Sequence, residues 1–216
     1  MKTRWTLATR PVFPSTNDLG IPQLLAQDVT LPDRLALRAE DSGPGSLVID
    51  RTLKPRAGSL VGFWVDDYRL EPLWERPAAS LSRLGTDVVL IEPDFSAYSD
   101  HPFAVAICNL YRSRWVARWW QSQGRTVLPQ LAWNRQTVQQ MTSGLHTGSP
   151  FACECRPRFK DSALLLKGLR RGIEQLQPSA VLLYGAEESL LKKLPAGPRY
   201  VTVPAWSPRR RMQASG

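Results

Sequence analysis

Two short stretches gather the groups able to do chemistry. In FWVDDYR an apolar run ends on Asp66 and Asp67. In LIEPDFSAYSDHPFAVAICNLYRSRW another ends on Glu92, Pro93 and Asp94, then passes through Ser96 to Asn109, Arg112 and Arg114. Carboxylates such as Asp66, Asp67 and Asp94 supply a general base, or oxygen ligands for a divalent metal such as magnesium, which needs few protein carboxylates. Arginine recognises phosphate through two parallel hydrogen bonds, and asparagine brings both a donor and an acceptor. Asp94, Asp66 and Asp67 are therefore candidate catalytic residues. Ser96, Asn109, Arg112 and Arg114 are candidate ligand-binding residues, with Trp133, at the end of a third apolar run, as a stacking surface.

Each of these groups also has a plainer reading. An Asp pair can simply terminate a strand, and only one of two neighbours on a strand faces a given side. Arg112 or Arg114 can pair internally with Asp94 or Asp67. Ser99 or Asp100 can cap the next helix, with Pro102 in its first turn; capping leaves Asp94 and Ser96 unexplained. The chain carries no phosphate-binding glycine loop, no dinucleotide fingerprint and no paired-histidine metal motif. Cys153 and Cys155, two apart on one predicted strand, face the same side and read as buried structural thiols. Three cysteines without a disulfide framework point to a reducing interior.

The elements that must position these groups are legible from residue 60 onward. SLVGFWVDDY, TDVVLIEPD, RTVLPQLAW, SPFACECR, SAVLLYG and RYVTVPAW read as strands. Between them, helical spacing runs from near Pro72 to Leu84, over 101–123, around QTVQQMTSGL, over DSALLLKGLRRGIEQL and over EESLLKKL. Strands apolar on both faces that alternate with helices make an α/β fold of repeated βα units with a mainly parallel sheet. An incomplete or distorted barrel is favoured over an open doubly wound sheet. Asp66-Asp67, Glu92-Pro93-Asp94, Trp133-Asn134 and Tyr184-Gly185 all fall at strand C-termini, which share one ligand-binding rim in such folds. Residues 1–59 read as an irregular N-terminal layer on this domain, 60–206 as the α/β domain, and 207–216 as a mobile basic tail.

Composition sets the outer bounds. With 43% hydrophobic and 22% charged residues the chain is too apolar for general disorder. Its net charge of +9 favours a polyanionic partner. Arg156, Arg158, Lys160, Lys167, Arg170 and Arg171 form one basic region and Arg209, Arg210 and Arg211 another. The N-terminus lacks the apolar core of a signal peptide and no run approaches a membrane span, so the expectation is a cytoplasmic protein without a membrane partner.

FWVDDYRLEPLW, PDFSAYSDHP, NLYRSRW and QGRTVLPQLAW together resemble the domain-of-unknown-function family forty-four seventeen, a group of bacterial, phage and mobile-element proteins, over roughly residues 60 to 190. Pro93-Asp94-Phe95-Ser96, Asp100 with Pro102, Asn109-Leu110-Tyr111-Arg112 with Arg114, and Pro129 with Trp133 carry the resemblance. It implies that Asp94, Ser96, Asn109, Arg112 and Arg114 form the family's defining cluster, and it implies no established reaction. The resulting expectation is a protein that engages nucleic acid or a phosphorylated ligand at the strand-end rim, with metal-assisted phosphoester hydrolysis as its extension. The alternative is a non-catalytic binding or modulator protein whose Asp/Arg cluster is a structural polar network.

Overall fold

The computed structural model describes residues 10–37, 46–49, 57–156 and 161–205. Eight strands run through them: β1 (Ala36–Leu37), β2 (Ser46–Ile49), β3 (Leu60–Gly62), β4 (Val89–Ile91), β5 (Thr126–Leu128), β6 (Phe151–Glu154), β7 (Ala180–Tyr184) and β8 (Arg199–Val203). All pairings between them are parallel. β1 to β5 form one sheet in that order and β6 to β8 a second. A parallel bridge between Gln130 and Ala152 spans the seam from β5 to β6.

Neighbours in space are thus neighbours in sequence, as in a barrel; a doubly wound sheet reverses its order midway. Among the described residues the ladder does not close from β8 to β1. Instead Arg199, at the start of β8, donates to the carbonyls of Leu31 and Pro32 and pairs with Asp33 at 2.9 Å, tying β8 to the segment leading into β1. The architecture is an incomplete barrel.

Side-chain alternation sorts the core into an inside and an outside. Leu47, Leu60, Ile91, Leu128, Ala152, Leu182 and Val201, from β2 through β8, meet in one cluster on the inner face. Residues one step along the strands face outward: Val61, Leu90 and Val127 into one cluster, Phe151, Cys153, Val181 and Leu183 into another. Helices cover that outer face. They are α1 (Asp67–Glu75), α2 (Pro77–Leu81), α3 (Phe103–Ser122), α4 (Ser162–Leu176) and α5 (Glu188–Leu191). α3 sinks Trp115, Val116, Trp119 and Trp120 into the first outer cluster. α4 docks Leu165, Leu169, Ile173 and Leu176, spaced by three and four, into the second. Its N-cap Asp161 accepts from the Ala163 N–H at 2.8 Å. Among the described residues no helix is long and apolar enough to cross a membrane.

Several local expectations shift. LALRAEDSGPGSLVID, which reads as loops with brief strands, supplies β1 and β2, and these extend the sheet beyond the six strands read from residue 60 onward. The helix expected from Pro72 opens earlier, at Asp67, and encloses Pro72. It stops where Arg76 leaves helical geometry (φ −138°), and Pro77 then starts α2, a position where a missing N–H costs nothing. Pro102 itself is the N-cap of α3, and no side chain caps that helix. The segment QTVQQMTSGL forms consecutive turns, not a helix. The tail residues 207–216, Arg158 and Lys160 lie outside the described residues.

Candidate functional site

Above the ends of β3 and β4, the start of α1 and the loop after β4 are joined by hydrogen bonds. The Asp67 carboxylate accepts from the Ser96 N–H at 3.2 Å and from the Ser96 hydroxyl at 2.7 Å. The Ser96 carbonyl accepts from the Asn109 side chain at 2.8 Å, and Asn109 Oδ1 accepts from Arg112 at 3.3 Å. Arg112 then donates to Glu71, back on α1, at 2.6 Å. Four of the residues singled out in the sequence, Asp67, Ser96, Asn109 and Arg112, thus fall in one circuit from α1 through the loop and α3 to α1 again. The Arg112 guanidinium lies 3.9 Å from the centre of the Phe95 ring. Close by, Arg10 lies 3.2 Å over the Trp74 ring; burial, reinforced by repulsion from Arg112, lowers its pKa to about 10.

Arg114 lies deeper. It and its ion-pair partner Glu92 are fully buried, and its remaining N–H groups donate to the carbonyls of Gln130, Met141 and Ser143. The turns at 135–144 close on bonds three residues apart, from the Gln140 N–H to the Thr137 carbonyl and from the Ser143 N–H to the Gln140 carbonyl, while the Met141 and Ser143 carbonyls point at the guanidinium and Asn134 Oδ1 accepts from the N–H groups of Gln136 and Thr137. Glu92 Oε2 also accepts from the Gln130 N–H at 2.9 Å. Burial pushes the Glu92 carboxyl above its ordinary pKa, opposed by Arg114 and by the Gln130 hydrogen bond, with the charge of Asp94 pushing the same way as burial. Asp94 itself is half-buried, and Asp66 is exposed, preceding α1 without a side-chain cap. Trp133 is buried; its indole N–H donates to the Leu164 carbonyl at 3.2 Å, and its ring fills the space over Gly168 where any Cβ would collide. Among the described residues no group of three or more His, Cys, Asp or Glu side chains is placed to hold a metal ion, so Asp66, Asp67 and Asp94 do not form such a group.

A different set of residues faces outward or into the barrel mouth. Tyr68 on the first turn of α1 is 68% exposed, Tyr98 in the loop after β4 is 48% exposed, and Phe103 at the start of α3 is 39% exposed. Arg69 donates to the Tyr68 hydroxyl at 3.0 Å. Tyr98 meets His101 edge-on at 4.9 Å, and its carbonyl accepts from Asn134 at 2.9 Å, which links it to the end of β5. On the inner side, Trp64 beyond β3 and Tyr184 at the end of β7 stack at 4.5 Å with planes 3° apart. Arg156, just past β6, pairs with Glu154 and lies 5.5 Å from the Tyr184 ring centre. Tyr184 stands at a strand end and Arg156 in a basic region of the sequence, but Trp64, Tyr68, Tyr98 and Phe103 are not among the candidate site residues named from it. The available signal was a tyrosine inside an otherwise polar stretch, in DDYR and in SAYSDH.

A family model described as Domain of unknown function (DUF4417) matches residues 13–196. The "Gene 1 protein" of Mycobacterium phage D29 is 32% identical over 217 aligned residues, covering 97% of this chain and 75% of the relative. The "Gene 1 protein" of Mycobacterium phage L5 is 32% identical over 183 residues, covering 83% of this chain and 76% of the relative. No solved structure matches the chain.

Proposed function

The chain belongs to this family of unknown function, with phage proteins among its relatives, and from that premise we propose that it binds single-stranded nucleic acid along the rim formed by the C-terminal ends of its strands. The observation that carries this reading is where the protein leaves aromatic rings in solvent. Trp64, Trp115, Trp119, Trp120 and Trp133 are buried, whereas Tyr68 and Phe103, in the first turns of α1 and α3, and Tyr98, in the loop before α3, are exposed. The Asp67–Ser96 hydrogen bonds hold the first turn of α1 and that loop side by side. This rim is where parallel α/β folds bind their ligands. Exposed rings grouped there suit a partner with flat faces, and base stacking contributes about 1–3 kcal/mol per base. Bases in a duplex are already stacked on one another, so the partner is a single strand.

Charge supports the same partner. Acidic and basic residues nearly balance within the described fold, and the excess of positive charge lies elsewhere in the sequence. Arg51, Lys54 and Arg56 follow β2, Arg158 and Lys160 follow β6, and Arg209, Arg210 and Arg211 follow β8. All of these lie outside the described residues. Within the described fold, Arg69 brings positive charge to the rim, while exposed Asp66 and Asp100 offer acceptors to base amino groups.

The test is fluorescence anisotropy with labelled single-stranded DNA and RNA oligonucleotides and the matching duplex, at two salt concentrations. Single strands are expected to bind more tightly than duplex, with affinity falling as salt rises. The combined variant Tyr68→Ala/Tyr98→Ala/Phe103→Ala is expected to weaken single-strand binding at least tenfold while remaining folded. Equal affinity for duplex, or no salt-dependent binding to any of the three, rejects the reading.

A second reading concerns the Asp67–Arg112 circuit alone. Its carboxylates and guanidinium are engaged with one another, which favours a structural polar network that fixes the rim connections in place. The two readings are compatible: the network positions, and the rings bind.

A further inference from the structure

Below the rim, between the ends of β4 and β5 and the middle of α3, lies a cavity of about 10 Å³. Glu92, Ser113, Arg114 and Gln130 line its polar side, and Phe95 and Leu110 its apolar side. Glu92 is 0% exposed and Gln130 3% exposed, yet Glu92 Oε1 and both amide atoms of Gln130 are buried without a hydrogen-bond partner. The other Glu92 oxygen is already taken by Arg114 and the Gln130 N–H. Buried polar atoms are satisfied in the great majority of cases, by protein or by internal water. The cavity has about the volume that one water molecule requires.

We propose that this cavity is the binding site of one internal water molecule, which donates to Glu92 Oε1 and bonds to the side-chain amide of Gln130. The chemistry of the lining selects water over a cation. Arg114 already sets a full positive charge against the carboxylate, so a second cation would meet its repulsion. Glu92 Oε1 needs a donor, and the amide needs a donor at its oxygen or an acceptor at its nitrogen. A water molecule supplies both kinds of bond at once. Its position is also structurally specific. Gln130 is the residue whose bridge to Ala152 carries the pairing from the five-stranded sheet to the three-stranded one. Glu92 directly follows β4 and leads into the loop that bears Ser96 and Tyr98. The water joins the seam between the sheets to the base of that rim loop.

Oxygen-17 magnetic relaxation dispersion on the full chain tests this. The wild type is expected to show a long-lived internal water contribution that falls by one molecule in Gln130→Met, which removes both amide atoms and keeps the side-chain length. An unchanged contribution in a folded Gln130→Met overturns the proposal. A high-resolution crystal structure of the wild-type protein tests it without any variant. Density for a single oxygen within hydrogen-bond distance of Glu92 Oε1 and the Gln130 amide supports it. A dry cavity, a direct Glu92–Gln130 side-chain bond or a metal ion there overturns it.

Discussion

The polar junction between β4 and α3 and the aromatic rim above it are built from adjacent stretches of chain, yet they treat their functional groups in opposite ways. In the junction, Arg114 spends its donors on Glu92 and three main-chain carbonyls, and Arg112 spends its own on Asn109 and Glu71. On the rim, Tyr68, Tyr98 and Phe103 leave large rings in solvent. The charged side chains of the junction thus meet partners within the fold, while the large rings of the rim remain exposed. A charged side chain in this protein is best judged by what already meets it.

The sharpest way to break this contrast is to remove the deepest charge. Arg114→Met leaves Glu92 buried without its ion-pair partner and is expected to cost about 3–5 kcal/mol in urea denaturation. Replacing both partners, Glu92→Leu with Arg114→Met, is expected to recover the part of that loss that comes from the uncompensated charge, the rest coming from the Gln130, Met141 and Ser143 carbonyls that lose their donor. If the single variant costs under about 1 kcal/mol, the junction is not the structural element described here. Next in size is Asn109→Ala, which cuts the circuit between Ser96 and Arg112. Its expected cost is about 1–3 kcal/mol by the same measurement, since Asn109 is buried and its loss leaves the Ser96 carbonyl and Arg112 each short of a partner.

How far the sequence disclosed these two regions follows from the range of the interactions involved. Strands β4, β7 and β8 and helices α3 and α4 are local patterns of apolar spacing, and each stands within a few residues of where that spacing places it. The polar residues at strand ends pointed to a shared rim, and the parallel order of the strands provides one. What stayed hidden depends on partners far away in the chain. Arg114 is buried because Glu92, 22 residues earlier, and carbonyls as far on as Ser143 surround it; arginine is otherwise a surface residue, so its type suggests the reverse. The same guanidinium takes the carbonyls of Met141 and Ser143 in QTVQQMTSGL, where spacing predicted a helix and the chain forms turns. The Trp64–Tyr184 stack joins β3 to β7 and leaves no local trace. At two residues, β1 is too short for any periodic signal.

A pH series separates the regions in another way. Burial raises the Glu92 pKa above its ordinary 4.5, so in that range the folded chain holds a proton that the unfolded chain releases. Stability falls with pH wherever the native state binds more protons. The unfolding free energy of the wild type, relative to Glu92→Gln, is therefore expected to decline as pH rises from about 4.5 through the raised pKa. Urea denaturation at successive pH values measures this difference. A difference that stays flat would mean that Arg114 holds Glu92 charged throughout.

The smallest effect on stability is expected at the rim, and there it is most informative. Tyr68→Ala, Tyr98→Ala and Phe103→Ala each remove a ring that is already more than a third exposed and lies outside the three core clusters. Exposed substitutions away from caps and buried networks usually change stability by no more than about 0.5 kcal/mol. Tyr98 carries the largest risk of exceeding this, because its ring packs against His101; its carbonyl, however, accepts from Asn134 and is retained in alanine. Each single variant is expected to bind single-stranded oligonucleotide several-fold more weakly at unchanged stability, consistent with a stacking contribution of about 1–3 kcal/mol. Loss of stability comparable to Asn109→Ala would make these rings part of the scaffold. Unchanged binding in all three would leave the rim without a partner and erase the contrast between the two regions.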